Sequence, residues 1–191
     1  MPEIKDKGKI ILIGSSTGGP QIVESILKGL DAARFSVLIA QHMPEGFTAK
    51  WAERLDRLTP FQVSEAADGD CAIPGKAYVA PGNRHLLLSS QGDYTLQISD
   101  APHVNRFRPS IDVLFESALI YPSDKTYAVI LTGMCYDGVI GIKQLKDNGA
   151  VTIAQNAETS AVFGMNKEAI DKGGISFVMS PEEMINYFNR I

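Results

Sequence analysis

Residues 9–30 have the sequence KIILIGSSTGGPQIVESILKGL, and this stretch decides the fold. Residues 9–13 form an apolar run of strand length that ends at a glycine, which predicts a buried strand. Pro20 suits the first turn of a helix, and apolar residues then recur at helical spacing as far as Leu30. A buried strand, a glycine-rich turn and an amphipathic helix are typical of the first unit of an α/β fold.

The same alternation of strand and helix continues along the chain. We predict a second buried strand at residues 35–40 and further strands at residues 127–132, 151–154 and 174–179. Helices are predicted at residues 46–58, 137–148 and 161–172, with two more that begin at N-cap residues Ser110 and Ser180. Between residues 59 and 99 the strands are short, alternate with period two and are separated by Pro-Gly and Gly-Asp turns, which predicts hairpins. The expected fold is therefore a single doubly wound, mostly parallel sheet with helices on both faces and an antiparallel hairpin extension at about residues 60–99.

Length and composition restrict the class of protein. A chain of 191 residues is expected to form one domain. The net charge of −4, from 18 basic and 22 acidic residues, argues against nucleic-acid binding. Two cysteines, Cys71 and Cys135, are too few for a disulfide scaffold and fit a reducing compartment. The apolar run at residues 10–13 is too short for a signal peptide or a membrane span, so we expect a cytoplasmic protein without membrane insertion.

Three residues with side chains that can take part in catalysis follow three of the predicted parallel strands. Ser16 follows the first strand, His42 the second, and Asp137 comes after the strand at 127–132. Ligands of such sheets bind beyond the carboxyl ends of the strands, and serine, histidine and aspartate are the residues of an acyl-transfer triad. Gly14, Ser16 and Gly18 also fit the pattern Gly-x-Ser-x-Gly, which exposes a serine on a sharp turn between strand and helix.

In this interpretation Ser16 is the nucleophile, His42 is the base within hydrogen-bond reach of it, and Asp137 orients the histidine ring. The backbone N–H of Thr17 would help to bind an oxyanion at the start of the next helix. Structural alternatives remain for each residue: a glycine-rich turn after a first strand can hold a phosphate, a lone histidine can be structural, and Asp-Gly can form a turn. The residue pattern by itself leaves catalysis and structure open.

Six motifs in one order resemble a known family. They are residues 13–19 (IGSSTGG), 41–48 (QHMPEGFT), 78–85 (YVAPGNRH), 108–115 (RPSIDVLF), 131–134 (LTGM) and 161–165 (AVFGM). Together they are similar to the catalytic domain of the bacterial chemotaxis protein-glutamate methylesterase, the CheB type. The resemblance covers almost the whole chain, and six collinear motifs are far more specific than any one of them.

The resemblance implies roles for individual residues. Ser16 resembles the nucleophile, His42 the general base and Asp137 the orienting aspartate, while the backbone N–H of Met134 would serve the oxyanion hole together with Thr17. Ser15 stands where the family often has alanine, which makes it a poor rival nucleophile. The implied reaction is hydrolysis of glutamate γ-methyl esters on chemoreceptor helices with release of methanol, and also deamidation of receptor glutamines, with no cofactor and no metal.

The resemblance also sets expectations about organisation. Residues 1–8 would be a short lead and residues 9–191 the catalytic domain, with no receiver domain in this chain and a separate receiver protein as a further partner. Four residues depart from the family pattern: Cys135 replaces a usual glycine and would be strained if its φ were positive, Tyr136 adds bulk, and Asn156 and Asn166 stand where aspartate and proline are common. The alternatives are a hydrolase of the same design acting on another ester or amide, and a non-catalytic receptor-binding module.

Other polar and aromatic residues have simpler interpretations. We expect His85 to be structural or adjacent to the substrate, and His103 to lie in a loop. Arg106 and Arg108 are more simply solvated or turn-stabilising than substrate-binding. Trp51 is expected in the core.

Overall fold

The computed structural model describes residues 8–89 and 94–191. Within them the strands are β1 (Lys9–Ser15), β2 (Phe35–Gln41), β3 (Gln62–Glu65), β4 (Lys76–Val79), β5 (His85–Leu88), β6 (Leu96–Ser99), β7 (Thr126–Ile130), β8 (Val151–Gln155) and β9 (Phe177–Met179). The α-helices are α1 (Gly19–Gly29), α2 (Thr48–Leu58), α3 (Ile111–Ser117), α4 (Val139–Asp147), α5 (Met165–Asp171) and α6 (Pro181–Arg190). Short 3-10 turns lie at Ala32–Arg34, Ala118–Ile120 and Ser123–Lys125.

The main sheet confirms the predicted doubly wound architecture. Its strand order is β3-β4-β2-β1-β7-β8-β9, and every neighbouring pair is parallel. The chain starts at the central strand β1, winds outward to one edge and then returns to wind outward to the other. The strand order therefore reverses beside β1, and the crevice at the carboxyl ends of β1, β2 and β7 is where ligands of such sheets bind.

Each face of the sheet has its own apolar core. Ile11 and Ile13 of β1 pack on one face with residues of α1, α2 and α6, among them Trp51, which is buried as expected. Ile10 and Leu12 pack on the opposite face, against α3 and α4. Burying each such aliphatic side chain contributes about 1.5–3 kcal/mol. The continuous apolar run of the first strand is thus explained by a sheet that is covered on both sides.

The antiparallel part is smaller than the sequence predicted. β3 and β4 are parallel strands at one edge of the main sheet, and among the described residues only β5 and β6 pair as a hairpin, in a separate two-stranded sheet. Val63 of β3 is buried while Gln62 and Ser64 are exposed, because one face of this edge strand is open to solvent. An edge strand therefore alternates like a hairpin strand, and periodicity could not separate the two.

Three helices start later than predicted. The helix predicted from residue 46 begins at Thr48, and the next difference affects the site. The helix predicted to begin at Asp137 begins at Val139, because Gly138 has a left-handed backbone with φ 91°. Asp137 consequently lies in the loop after β7 rather than on the helix. The helix predicted from residue 161 begins at Met165. None of the described helices has the length and apolar character that crossing a membrane requires.

Candidate active site

Three loops that follow β1, β2 and β7 are joined to one another by backbone hydrogen bonds. The N–H of Ser16 donates to the carbonyl oxygen of Thr132 at 3.0 Å, and the N–H of His42 donates to that of Ser15 at 3.0 Å. The loops that carry the serine, the histidine and the aspartate therefore lie side by side at the predicted edge of the sheet.

The two adjacent serines have different environments. Ser15 is fully buried, and its hydroxyl donates to the side-chain oxygen of Gln41 at 2.6 Å. The amide nitrogen of Gln41 in turn donates to the carbonyl oxygen of Ser16 at 2.9 Å. Ser16 is half-buried, so its hydroxyl is the one of the two that remains accessible. Among the described residues no hydrogen bond joins that hydroxyl to the His42 ring; in enzymes without substrate such contacts are often long.

Close backbone approach around Ser16 requires glycine. A Cβ atom on Gly133 would lie 2.7 Å from the Cβ of Ser16 and 2.3 Å from the sulfur of Met165. A Cβ atom on Gly19 would lie 2.4 Å from the side-chain oxygen of Gln41. Neither position has room for a side chain, and the loop after β7 therefore touches the serine turn directly.

His42 and Asp137 form the closest polar pair of the site. The Nε2 atom of His42 lies 2.8 Å from Oδ2 of Asp137, and the two side chains are 7% and 0% exposed. An ionised carboxylate only accepts hydrogen bonds, so Nε2 carries the hydrogen and donates it. The other ring nitrogen, Nδ1, is then the one that is free to accept a proton.

The carboxylate of Asp137 accepts hydrogen bonds from several further donors. Oδ1 accepts from the hydroxyl of Ser110 at 2.6 Å and from the side-chain amide of Asn105 at 2.9 Å, and Oδ2 accepts from the N–H of Ile111 at 2.6 Å. Burial by itself would raise the pKa of Asp137. The hydrogen bonds from His42, Ser110, Asn105 and Ile111 outweigh it and hold that pKa below its ordinary value. Asp137 is therefore ionised at neutral pH.

A second carboxylate, which sequence analysis missed, lies next to Asp137. Asp112 is buried in the first turn of α3, where its Oδ1 accepts from the N–H of Gly141 at 2.7 Å and its Oδ2 from Asn105 at 2.7 Å. Burial raises the pKa of Asp112, and the negative charge of Asp137 raises it further. In the sequence Asp112 resembles an ordinary acidic residue at a helix start, so no pattern indicated this contact.

The aromatic neighbour of the histidine was also missed. The rings of His42 and Phe107 are stacked, with centroids 3.7 Å apart and an angle of 1° between their planes. Phe107 belongs to the loop at residues 101–109, whose sequence has no periodicity. Only the tertiary fold brings it to His42.

Comparison with known proteins identifies the family of this chain. The sequence model of the family described as CheB methylesterase matches residues 11–188. The chain belongs to the CheB methylesterase family. The match includes the loops that carry Ser16, His42 and Asp137.

Individual relatives of the family are similar over most of the chain. A protein-glutamate methylesterase/protein-glutamine glutaminase of Geobacter metallireducens is 48% identical over 177 residues, which are 92% of this chain and 50% of that protein. One of Salmonella typhi is 47% identical over 172 residues, 90% of this chain and 49% of that protein. The chain thus spans about half the length of these curated relatives. The crystal structure of the Thermotoga maritima CheB methylesterase catalytic domain superposes with a TM-score of 0.91 at 39% identity, and the match covers 96% of this chain and 98% of that one.

The departures from the CheB methylesterase pattern are accommodated by the structure. The described non-glycine residues with positive φ do not include Cys135, so this cysteine is free of left-handed strain. Its sulfur lies 3.9 Å from Nδ1 of His42, and burial raises the pKa of the thiol to about 11. Tyr136 is 66% exposed and therefore does not crowd Asp137. Asn156 accepts from the N–H of Thr159. Asn166 is the exception: it is buried and donates to the carbonyl oxygen of Gln155, but its Oδ1 has no hydrogen-bond partner among the described residues.

The predicted oxyanion-hole residues flank the serine. Within residues 8–89 and 94–191 neither the N–H of Thr17 nor that of Met134 has an intramolecular acceptor. Thr17 directly follows Ser16, and Met134 directly follows Gly133, which contacts Ser16. Both groups are therefore available to a ligand oxygen in a CheB methylesterase site.

The remaining candidates have structural contacts. His85 is buried, accepts from the N–H of Ser110 at 3.2 Å and contacts the carbonyl oxygen of Pro102 at 3.0 Å, so it supports the loop that carries Phe107. Arg108 binds the side chain of Asn83 and the carbonyl oxygens of Asp100 and Ala101, which stabilises the same loop.

A shallow cavity of about 240 Å³ opens beside His42. Its lining includes three basic or titratable side chains of the loop at residues 101–109, namely His103, Arg106 and Arg108. Among the described residues no group of three or more His, Cys, Asp or Glu side chains is arranged to hold a metal ion.

Proposed function

We propose that this protein is a serine hydrolase that removes methyl groups from glutamate γ-methyl esters of chemoreceptors. The observation that carries the proposal is the 2.8 Å hydrogen bond between buried Asp137 and Nε2 of His42, in the loops that adjoin Ser16. Membership of the CheB methylesterase family supplies the reaction, and the relatives' names supply the substrate class.

In the first step, Ser16 Oγ attacks the carbonyl carbon of the ester and Nδ1 of His42 takes the hydroxyl proton. Nδ1 acts as the base because Nε2 is engaged by Asp137. This is the reverse of the common arrangement, in which Nδ1 bonds the aspartate. The carboxylate of Asp137 fixes the tautomer and stabilises the imidazolium ion that forms.

In the following steps, the N–H groups of Thr17 and Met134 bind the oxyanion of the tetrahedral intermediate. When that intermediate collapses, the bond to the methoxy group breaks, and methanol leaves with the proton that His42 held. A water molecule then attacks the acyl-enzyme, and His42 takes a proton from that water. The second collapse returns that proton to Ser16 and releases the glutamate side chain as a carboxylic acid, which then loses its remaining proton to water and becomes a carboxylate.

Deamidation of receptor glutamines is a second activity of the same proposed site. The printed names of the relatives include protein-glutamine glutaminase, which favours it. The route is unchanged except that ammonia, protonated by His42, leaves in place of methanol.

The proposed partners follow from the substrate. Met134 and Tyr136 next to Asp137 are 77% and 66% exposed, and such apolar side chains beside a site favour contact with a protein surface. We therefore propose that a helix of the cytoplasmic part of a chemoreceptor docks here, which puts the protein in the cytoplasm. The same proposal includes a receiver protein as the regulator. It also takes residues 9–191 as the catalytic domain, which is supported by the coverage of the Thermotoga maritima domain.

The proposal is tested by mixing the protein with membranes that hold methylated chemoreceptors and measuring methanol. We expect methanol release that stops when all methyl groups are consumed, and none from unmethylated receptors. Hydrolysis of a small neutral ester without release from receptors would favour a different ester or amide substrate. No turnover of any ester would favour a binding module and contradict the proposal.

A further inference from the structure

The loop before α3 contains a tight turn whose two central residues have an unfavourable backbone conformation. The N–H of Val104 donates to the carbonyl oxygen of Phe107 at 3.1 Å, and the N–H of Phe107 donates to that of Val104 at 2.8 Å. Between them Asn105 has φ 51° and Arg106 has φ 71°. Non-glycine residues rarely adopt this left-handed conformation, and they persist in it where the surrounding structure holds them. We call residues 104–107 the base turn.

The side chain of Asn105 joins two buried carboxylates. Its Nδ2 atom donates to Oδ1 of Asp137 at 2.9 Å and to Oδ2 of Asp112 at 2.7 Å. A side-chain amide nitrogen has two hydrogens, so each carboxylate receives one. Asn105 thereby separates two like charges with a donor group, and it anchors the base turn to the residue that orients His42.

The base turn also contacts His42 itself. Phe107 covers one face of the imidazole ring in the parallel stack described above. The plane of the ring is therefore fixed by Phe107, while its Nε2 end is fixed by Asp137. Two residues of one short turn thus act on the two members of the His42–Asp137 pair.

We propose that the base turn is a positioning element, in which Asn105 holds the carboxylate of Asp137 against that of Asp112 and Phe107 holds the plane of His42. The inference rests on the proposed function, in which His42 is the base, and it assigns both residues an action through that pair rather than contact with the ester. Asparagine tolerates the left-handed backbone at this position, and its amide reaches both carboxylates from there.

Several groups face the pair and set its charge balance. They are Asp112 and Glu116 of α3, Cys135 of the loop after β7, and His103, Arg106 and Arg108 of the loop that contains the base turn.

The sharpest test is Asn105→Asp, which keeps the shape of the side chain and a residue type that tolerates left-handed backbone. It replaces two donors by acceptors and adds a third carboxylate. We expect kcat for methyl-ester hydrolysis to fall roughly 10- to 100-fold with KM nearly unchanged, because the base is misplaced and the substrate contacts are not. We also expect the pH profile of kcat to change, because the two carboxylates lose the donor that they share.

Matched variants separate positioning from loss of structure. Asn148→Asp makes the same substitution at an exposed asparagine at the end of α4, where the side-chain amide donates to the carbonyl oxygen of Leu119 at 3.5 Å, and it is expected to leave kcat and the pH profile unchanged. Phe107→Leu should lower kcat because it removes the stacked ring. Phe107→Tyr keeps an aromatic ring and should therefore have nearly the kcat of the unsubstituted protein. Asn105→Gly keeps the backbone conformation without the amide, and it should lower kcat even if Asn105→Asp fails to fold.

A readout that needs no activity completes the test. The protein has three histidines, so the ring titration of His42 can be followed by NMR and assigned with His85→Gln and His103→Gln. A titration of the His42 ring that differs between Asn105→Asp and the unsubstituted protein would support the proposal even if no methanol release is found, in which case only the proposed function fails. Unchanged kcat and an unchanged titration in folded Asn105→Asp or Asn105→Gly would overturn it.

Discussion

Replacing Asp137 by asparagine perturbs the centre of the site with little change in shape. Oδ2 accepts hydrogen bonds from His42 and from the N–H of Ile111, and Oδ1 accepts from Ser110 and Asn105. Oδ1 also accepts from the N–H of Asp112 at 3.3 Å. Asparagine has one acceptor oxygen and one NH₂ group, so the NH₂ meets two donors in the place of Oδ2 and three in the place of Oδ1. Two hydrogen bonds to a charged acceptor are lost, at about 1.5 kcal/mol each by the lower estimate, and the free energy of unfolding should fall by about 3 kcal/mol.

The effect of Asp137→Asn on the reaction follows from the histidine tautomer. If the NH₂ group takes the place of Oδ2, Nε2 of His42 must accept a hydrogen bond, and the ring hydrogen moves to Nδ1. That nitrogen is the one which must take the proton of Ser16. We expect kcat to fall roughly 10⁴-fold, the size of the effect when the triad aspartate of a serine protease becomes asparagine, which corresponds to about 5.5 kcal/mol.

The assay for Asp137→Asn combines steady-state ester hydrolysis, urea denaturation and ¹⁵N NMR of the ring nitrogens. Asp147→Asn is the matched control, because this carboxylate is 59% exposed in an ion pair with Lys143. We expect the control to change kcat negligibly and the free energy of unfolding by less than about 0.5 kcal/mol. The reasoning is refuted if Asp137→Asn keeps kcat within tenfold of the original protein, or if its ring hydrogen stays on Nε2.

Two further predictions concern packing and thiol chemistry. Gly133→Ala would bring a methyl group to 2.7 Å from the Cβ of Ser16, so we expect about 1–3 kcal/mol less free energy of unfolding by urea denaturation, and a lower kcat; unchanged values would contradict the close packing. Cys71 is exposed, whereas burial raises the pKa of the Cys135 thiol to about 11, so at pH 8 iodoacetamide should modify Cys71 much faster, as peptide mass spectrometry can measure. Faster modification of Cys135 would show that its thiol is activated.

The sequence predicted those features that local patterns determine. The continuous apolar strand and the helical spacing after Pro20 indicated a doubly wound sheet, because a parallel sheet must be covered on both faces. The topology of such a sheet predicts that Ser16, His42 and Asp137 lie at one edge. Of these, the contact between His42 and Asp137 is seen directly in the structure.

The features that were missed depend on contacts distant in sequence. Asn105 and Phe107 lie in a segment without periodicity, and their partners are 32 and 65 positions away in the chain (Asp137 and His42). Asp112 looks like any acidic residue in a first helical turn. The edge strand β3 was assigned to hairpins because half-buried edge strands and hairpin strands share one periodicity.

The rate of methanol release from methylated chemoreceptors by Ser16→Ala, compared with Ser15→Ala, tests the central claim most directly. Ser15 loses only its buried hydrogen bond to Gln41 when it is replaced, which costs about 1 kcal/mol of stability, so this variant should keep kcat within about tenfold. Ser16→Ala should fold normally and lose at least roughly a thousandfold in kcat, because it lacks the nucleophile. Methanol release by Ser16→Ala at the rate of the unsubstituted protein, or an equal loss in both variants, would contradict the assignment of Ser16.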